Sequence, residues 1–131
     1  VAPSGWHIPT DADWKKLEVS LGMESSQSDK TGWRGTHEGD KLKSTGGNRW
    51  AVFPGVWATN ESGFSAFAGG CRLFDGRYSY PNGVVYSGFW WSASQWQQNE
   101  FWYRHLDYKS SAIFRSHTYA GYAMAVRCVK D

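Results

Sequence analysis

Aliphatic side chains are scarce in this chain. Leu, Ile and Val together fill only 15 of 131 positions, and the 7 Phe bring the total to 22, a share that by itself points toward a disordered composition. Met (2), Cys (2) and Pro (4) are also few. An excess of one charge is missing as well: 14 Lys and Arg stand against 12 Asp and Glu, a net charge of +2. The basic residues are scattered, not striped, so the chain carries no electrostatic footprint for nucleic acid. It has neither a membrane-surface helix nor an acidic tail. No apolar run approaches the ~20 residues of a membrane span, so membrane insertion is not expected. The chain opens on Val1-Ala2-Pro3-Ser4-Gly5-Trp6 without a Met or a charged-then-apolar leader. That opening reads as a mature piece or an excised domain.

What is abundant is aromatic: 9 Trp, 7 Tyr and 7 Phe. Aromatics bury more area each than aliphatics, so 23 of them make a core possible and exclude collagen, coiled coil and disordered tail. Length and uniform composition predict one domain over 1–131.

The first element is a helix. Thr10-Asp11-Ala12-Asp13 has the form of a capping box, and Trp14, Leu17 and Leu21 follow on one apolar stripe. Lys15, Lys16 and Glu18 are expected to face water, and Gly22 supplies the stop, which predicts a helix over 11–21. Residues 23–39 are polar and read as an exposed connection. A short helical turn is expected over 40–44. Between Thr45 and Ser62, Trp50, Phe53 and Trp57 predict a loop pinned to the core. From Gly63 onward the signals are β: a hairpin at Leu73-Phe74-Asp75-Gly76-Arg77-Tyr78, a turn at Pro81-Asn82-Gly83, and strands at 84–86, 88–94, 100–108, 112–115 and 122–129. One helix followed by short antiparallel strands and long aromatic loops is an α+β arrangement.

Cys71 and Cys128, 57 positions apart, have no CxxC or Cys/His spacing, so a zinc site is not expected. A disulfide worth about 4 kcal/mol and two mostly buried thiols both remain open. His7, His37, His105 and His117 show no metal-ligand spacing. No Gly-x-Ser-x-Gly elbow or phosphate loop occurs. His7, beside Trp6, reads as a packed imidazole. No metal or cofactor is expected. The most informative strand is 101–107, where Trp102 and Leu106 mark the core face together with Arg104. Phe101, Tyr103, His105 and Asp107 point the other way, a row of rigid amphipathic groups suited to contact.

The run Pro3-Ser4-Gly5-Trp6-His7-Ile8-Pro9-Thr10-Asp11-Ala12-Asp13-Trp14 resembles the opening of the Fibrobacter succinogenes major paralogous domain family. The likeness continues through Lys41-Leu42-Lys43, Ala58-Thr59-Asn60-Glu61-Ser62-Gly63-Phe64-Ser65-Ala66, Gly69-Gly70, Trp90-Trp91-Ser92, Trp102-Tyr103-Arg104 and Val126-Arg127-Cys128-Val129-Lys130-Asp131. The resemblance implies a C-type-lectin-like fold in a secreted or surface-displayed module of bacteria or phages. The wider fold group also holds formylglycine-generating enzymes and phage receptor-binding proteins. The chain departs from the family at Ala2, where members often carry Cys, and at Cys71, where an aromatic is common. It also lacks the strand and helix that usually precede Pro3, which leaves the first strand unassigned.

The formylglycine-generating relatives need two close cysteines near the C-terminus, and Cys71 and Cys128 do not match them. Calcium-dependent lectins need a Glu-Pro-Asn loop and a Trp-Asn-Asp strand as oxygen ligands. Here Tyr80-Pro81-Asn82 and Trp96-Gln97-Gln98 stand in their place, and Asn99-Glu100 alone is too few, although Trp96 could stack on a sugar ring without metal. Some proteins of this fold are diversified by retroelements that mutate template adenines. Phe101, Tyr103, His105, Asp107 and the run Ser110–Ala120 are residues that a mutated Asn codon can encode, a test that most residue types pass.

The resemblance and the alternation together predict a non-catalytic binding domain on a cell surface or virion. Its ligand face is Trp96, Phe101, Tyr103, His105, Asp107, Phe114, His117 and Tyr119, with Tyr103 and Tyr119 as anchors. Trp6, Trp14, Trp90, Trp91 and Trp102 are expected to hold the scaffold. The expected partner is a cell-surface protein or glycan. A structural module of a surface lipoprotein or adhesin is the alternative, and a formylglycine-generating-type oxidoreductase the third reading.

Overall fold

The computed structural model describes residues 1–79 and 85–131. The expected turn at Pro81-Asn82-Gly83, the segment Tyr80-Pro81-Asn82 and the start of the strand at 84–86 lie outside the described residues. The elements are β1 (Trp6–His7), α1 (Asp11–Ser20), α2 (Ser25–Ser28), β2 (Gly32–Arg34), α3 (Glu38–Leu42), β3 (Ser87–Gln97), β4 (Glu100–Asp107), β5 (Ile113–Tyr119) and β6 (Val129–Lys130). The named strands pair antiparallel, in a four-stranded sheet ordered β2-β5-β4-β3 and a two-stranded ribbon β1-β6, and β3 adds isolated parallel bridges at Gly88 and Trp90. The chain is an α+β protein.

α1 starts where the capping box places it. Thr10 Oγ1 accepts from the Asp13 amide at 3.1 Å and the Thr10 amide donates to Asp13 Oδ2 at 3.0 Å. Gly22, at φ +116°, follows the helix end. The stripe is only partly as expected. Trp14 is buried and Leu17 and Leu21 pack partly against the core, but Glu18, expected in water, is fully buried. Its carboxylate takes Arg34 Nη1 and Nη2 at 2.9 and 2.8 Å and also the Nε of Arg104. Two turns earlier, Asp11 takes Arg104 Nη1 at 2.9 Å and Arg115 Nε and Nη2 at 2.9 and 2.8 Å. Burial pushes Asp11 up, but the Arg115 hydrogen bond, the Arg104 charge and Lys15 together hold it well below the ordinary carboxylate range. Two guanidinium groups also reach backbone carbonyls, Arg34 Nη1 to Ser28 and Arg115 Nη1 to Asp29, while Arg34 Nε and Arg104 Nη2 are buried without a hydrogen-bond partner among the described residues. α1 is thereby bonded to β2, β4 and β5 at once.

The segment 23–39 is not an exposed connection. It carries α2 and β2, buries Met23 and Arg34, and supplies the sheet's edge strand beside β5. Three residues flanked by polar ones leave no periodicity to read. The helical turn expected at 40–44 is α3, two residues earlier. Its end positions Lys43, whose buried ammonium bonds the Asp40 carboxylate at 3.2 Å and the Ser110 carbonyl at 2.6 Å. The core gathers Trp14, Met23, Leu42, Ala66, Trp90, Leu106 and Ile113, with Trp50 and Phe64 against it. Trp50 is thus pinned as expected, whereas Phe53 and Trp57 are exposed.

The strand expected at 88–94 runs 87–97, that at 100–108 runs 100–107, and that at 112–115 extends to Tyr119. The expected strand at 122–129 is reduced to isolated bridges at Ala123 and Ala125, followed by β6. The Asp75-Gly76 hairpin forms, with the Leu73 amide on the Arg77 carbonyl at 2.7 Å and Gly76 at φ +90°. Cys71 and Cys128 are free thiols, which settles the open pairing. Trp14, Trp90 and Trp102 are buried scaffold, but Trp6 is exposed. The first strand is β1, which lies against β6 near the chain ends.

Two measurements test this architecture. Glu18→Ala leaves Arg34 and Arg104 buried without their shared partner and should cost about 3–5 kcal/mol in denaturant unfolding. Replacing the exposed Glu24 should stay within about 0.5 kcal/mol. The second concerns His7, whose Nδ1 meets Asp131 Oδ1 at 2.7 Å and whose Nε2 meets Asp13 Oδ2 at 3.1 Å. The Asp131 and Asp13 hydrogen bonds raise its pKa above the ordinary 6.5 against desolvation. Its stabilisation is therefore complete below that ordinary value and is lost as pH rises through the folded one. The stability gap between the wild type and His7→Gln should narrow as pH rises above the ordinary value; a constant gap would contradict the assignment.

Candidate functional site

The four-stranded sheet has one face toward α1 and one away from it. Period-2 alternation sends Trp102, Arg104 and Leu106 inward, all buried, and Phe101, Tyr103, His105 and Asp107 outward, all half-buried, as the sequence predicts. Register builds the rest of the outer face. Phe89 and Trp91 of β3 stand opposite His105 and Tyr103, while Phe114, Ser116 and Thr118 of β5 stand opposite His105, Tyr103 and Phe101. Trp33 of β2, opposite Phe114, extends the face to the edge and is 46% exposed.

The rings touch in one continuous array. His105 stacks on Phe89 at 4.3 Å and 9°, with Trp33 at 5.3 Å and Phe114 at 5.8 Å on its other sides. Tyr103 bridges Phe114 and Trp91, and Trp91 meets Phe101. Such pairs contribute roughly 0.5–1.5 kcal/mol each beyond their buried area, so the face is rigid before any partner arrives. Burial, opposed by Asp107, pushes His105 down to about 4, so the imidazole is neutral at physiological pH. Burial also pushes the Tyr103 phenol up, with the Cys71 and Tyr122 side chains adding to it. Asp107 is tied into the strand end by the Ser87 hydroxyl at 2.8 Å and the Lys109 amide at 2.9 Å.

The eight expected site residues therefore divide. Phe101, Tyr103, His105, Asp107 and Phe114 share the outer face. Trp96, His117 and Tyr119 do not. His117 stands opposite Trp102 and Tyr119 opposite Glu100, in the inward phase of β5. Trp96 stacks on His117 at 4.9 Å and 21°, with Trp102 edge-on at 4.9 Å. The His117 Nδ1 is bonded to Glu100 Oε2, and Gln97 Nε2 donates to the other Glu100 oxygen at 3.1 Å. These three residues make a second grouping where β4 begins and β5 ends. Residue parity excludes a shared face: 114 and 117, or 114 and 119, differ by odd numbers. In the run Ser110–Ala120, Ile113 and Arg115 are buried, so free variation there would break the core.

Trp33, Phe89 and Trp91 were not expected on the face. Trp33 lies in the segment that reads as a connection, and Trp91 reads as scaffold beside Trp90. Only the register, in which Trp91 pairs with Tyr103, turns it outward. Among the described residues no group of three or more His, Cys, Asp and Glu could hold a metal ion. None of their helices is long and apolar enough to cross a membrane.

The depressed His105 value gives a pH test. An unfolded chain protonates this imidazole near 6.5, the folded one only near 4. Its stability contribution is thus present above pH 6.5 and is lost as pH falls through that window, by about 3 kcal/mol at most. His105→Phe should flatten the wild-type decline between those pH values in thermal or denaturant unfolding; an unchanged decline would show that the ring is already solvated.

Among known proteins, the family model described as the Fibrobacter succinogenes major domain matches residues 1–130. No curated protein matches the chain, and no solved structure does.

Proposed function

The chain belongs to the Fibrobacter succinogenes major domain family, and on that premise we propose that it is a non-catalytic binding domain that docks a cell-surface protein or glycan on the outer face of its sheet. The observation that carries this reading is the unbroken ring array from Trp33 through His105 and Tyr103 to Phe101, left half-exposed on a sheet whose other face already supplies the core. A sheet needs one buried face to be stable, so ten ordered outward side chains exceed what folding requires. Rigid aromatic rings give large contact area at small entropy cost and are enriched among interface hot spots.

The proposed setting is extracellular, on a cell surface or virion, with a C-type-lectin-like arrangement of the α+β elements. In that reading the outward positions of β4 and β5 are the ones free to be diversified. Phe101, Tyr103, His105, Phe114, Ser116 and Thr118 could change without touching the buried arginines. A near-copy of codons 89–128 with substituted adenines, beside a reverse-transcriptase gene, would support diversification.

Arrays of purified glycans and cell-surface proteins test the binding reading directly. We expect at least one ligand, weakened at least about 30-fold by Trp33→Ala with Phe114→Ala, the effect of losing one hot spot of about 2 kcal/mol. Tyr103→Ala should act in the same direction. A ligand whose affinity ignores all three substitutions would displace the site from this face. A folded protein that captures nothing on either array would favour the structural adhesin module.

A further inference from the structure

We propose that the end of the sheet, where β4 begins and β5 ends, is a separate metal-independent cleft for a neutral pyranose ring of a glycan. The cleft measures about 410 Å³ and is lined by Phe74, Glu100, His117, Thr118, Tyr119 and Tyr122. Its lining shares Thr118 with the outer face but none of that face's rings, and it does not require the ring array to bind anything.

Three observations point to a sugar. First, the rings are presented and not consumed by packing: Phe74 is 69% and Tyr119 56% exposed. Phe74 meets Tyr122 edge-on at 5.9 Å. Gly121 lets these rings converge, because a Cβ there would sit 2.8 Å from Tyr119 Cε1 and 3.4 Å from Phe74 Cβ. Second, the polar groups are oriented in advance. Glu100 is held by His117 and Gln97, whose hydrogen bonds keep its carboxylate below the ordinary pKa range. His117 is in turn fixed by the flat stack of Trp96 and the edge of Trp102. That leaves the His117 Nε2 without a protein partner among the described residues. Third, the set contains donors and acceptors together: carboxylate lone pairs, an imidazole nitrogen, the Thr118 hydroxyl and two phenols.

Sugar hydroxyls are both donor and acceptor and need that mixture, while the C–H face of a pyranose needs an accessible ring. An organic cation would use the rings and the carboxylate but none of the hydroxyls. In an open cleft it would keep its hydration, which weakens a cation–π contact. A divalent cation is poorly served, because it needs several oxygen ligands and Glu100 is the single carboxylate among the residues lining the cleft. The mixed polar and aromatic lining therefore fits a neutral ring best.

The test is an amide-resolved NMR titration of the whole chain with methyl glycosides of glucose, galactose, mannose and N-acetylglucosamine, in buffer containing EDTA, with tetramethylammonium in parallel. At least one glycoside should shift resonances confined to 73–76, 97–100 and 117–122. Glu100→Gln and Tyr119→Ala should each weaken it at least tenfold, while Tyr119→Phe keeps the stacking ring and loses less. Gly121→Val removes no binding group, yet should weaken the same glycoside by displacing the Tyr119 ring. Trp33→Ala should leave it unchanged. No shift with any of the four glycosides overturns the cleft assignment, as does a shift produced only by tetramethylammonium. Weakening by Trp33→Ala but not by Tyr119→Ala would move the sugar to the outer face, overturning this site and supporting the proposed one.

Discussion

Arg104 and Arg115 stand directly opposite one another on neighbouring strands, both buried on the inner face. Two guanidinium groups facing each other on one sheet face repel, and α1 offsets this by laying Asp11 between them and Glu18 between Arg104 and Arg34. Arg34, arriving from β2, completes the set. Buried ion pairs of this kind lose as much solvation as they gain in attraction, so they are weak as a source of net stability. What they impose is register: this placement of α1 gives each of the three cations a carboxylate partner. Arg115 also lies 3.6 Å from the Trp102 ring centre and Arg104 5.8 Å from that of Trp14, so aromatics cover the same charges. A domain with so few Leu, Ile and Val is organised by guanidinium, carboxylate and indole in place of an aliphatic interior.

This arrangement decides which rings are left for other work. Trp14, Trp90 and Trp102 serve the inner face, where the arginines require large planar neighbours. The rings of opposite phase, among them Phe89, Trp91, Phe101 and Tyr103, have no helix over them. They pack on each other laterally, which keeps His105 neutral and the face ordered. The outward positions are the ones that can change without disturbing the inward ones.

What the sequence made legible was local. The Thr10–Asp13 capping box needs only four residues, and the alternation of 101–107 needs only its own strand, so both are as expected. Glu18 was not legible as a core residue. It lies four positions after Trp14 and seven after Asp11, on the buried stripe, but its partners Arg34 and Arg104 are 16 and 86 residues away. The inward phase of Arg104 was visible; its need for a buried acid was the unread signal. β2 escaped because an edge strand of three residues is recognised by its neighbour β5, not by its own composition. The outer face was half visible for the same reason: β4 declares its alternation, whereas Trp33, Phe89 and Trp91 join it only through register. Trp96, His117 and Tyr119 were grouped with it on residue type, although the parity of β5 separates them.

The ribbon of β1 and β6 has a mechanical consequence. Trp6 pairs with Lys130 and His7 with Val129, and the Asp131 amide closes on the Gly5 carbonyl at 3.0 Å. The strands leave this ribbon side by side at the same end, so a force pulling the two chain ends apart would open it like a zipper, one pair at a time. A load applied between one end and the sheet would instead pass through the guanidinium–carboxylate lattice, where several bonds must break together. The same domain would thus be soft along its chain and stiff across its sheet.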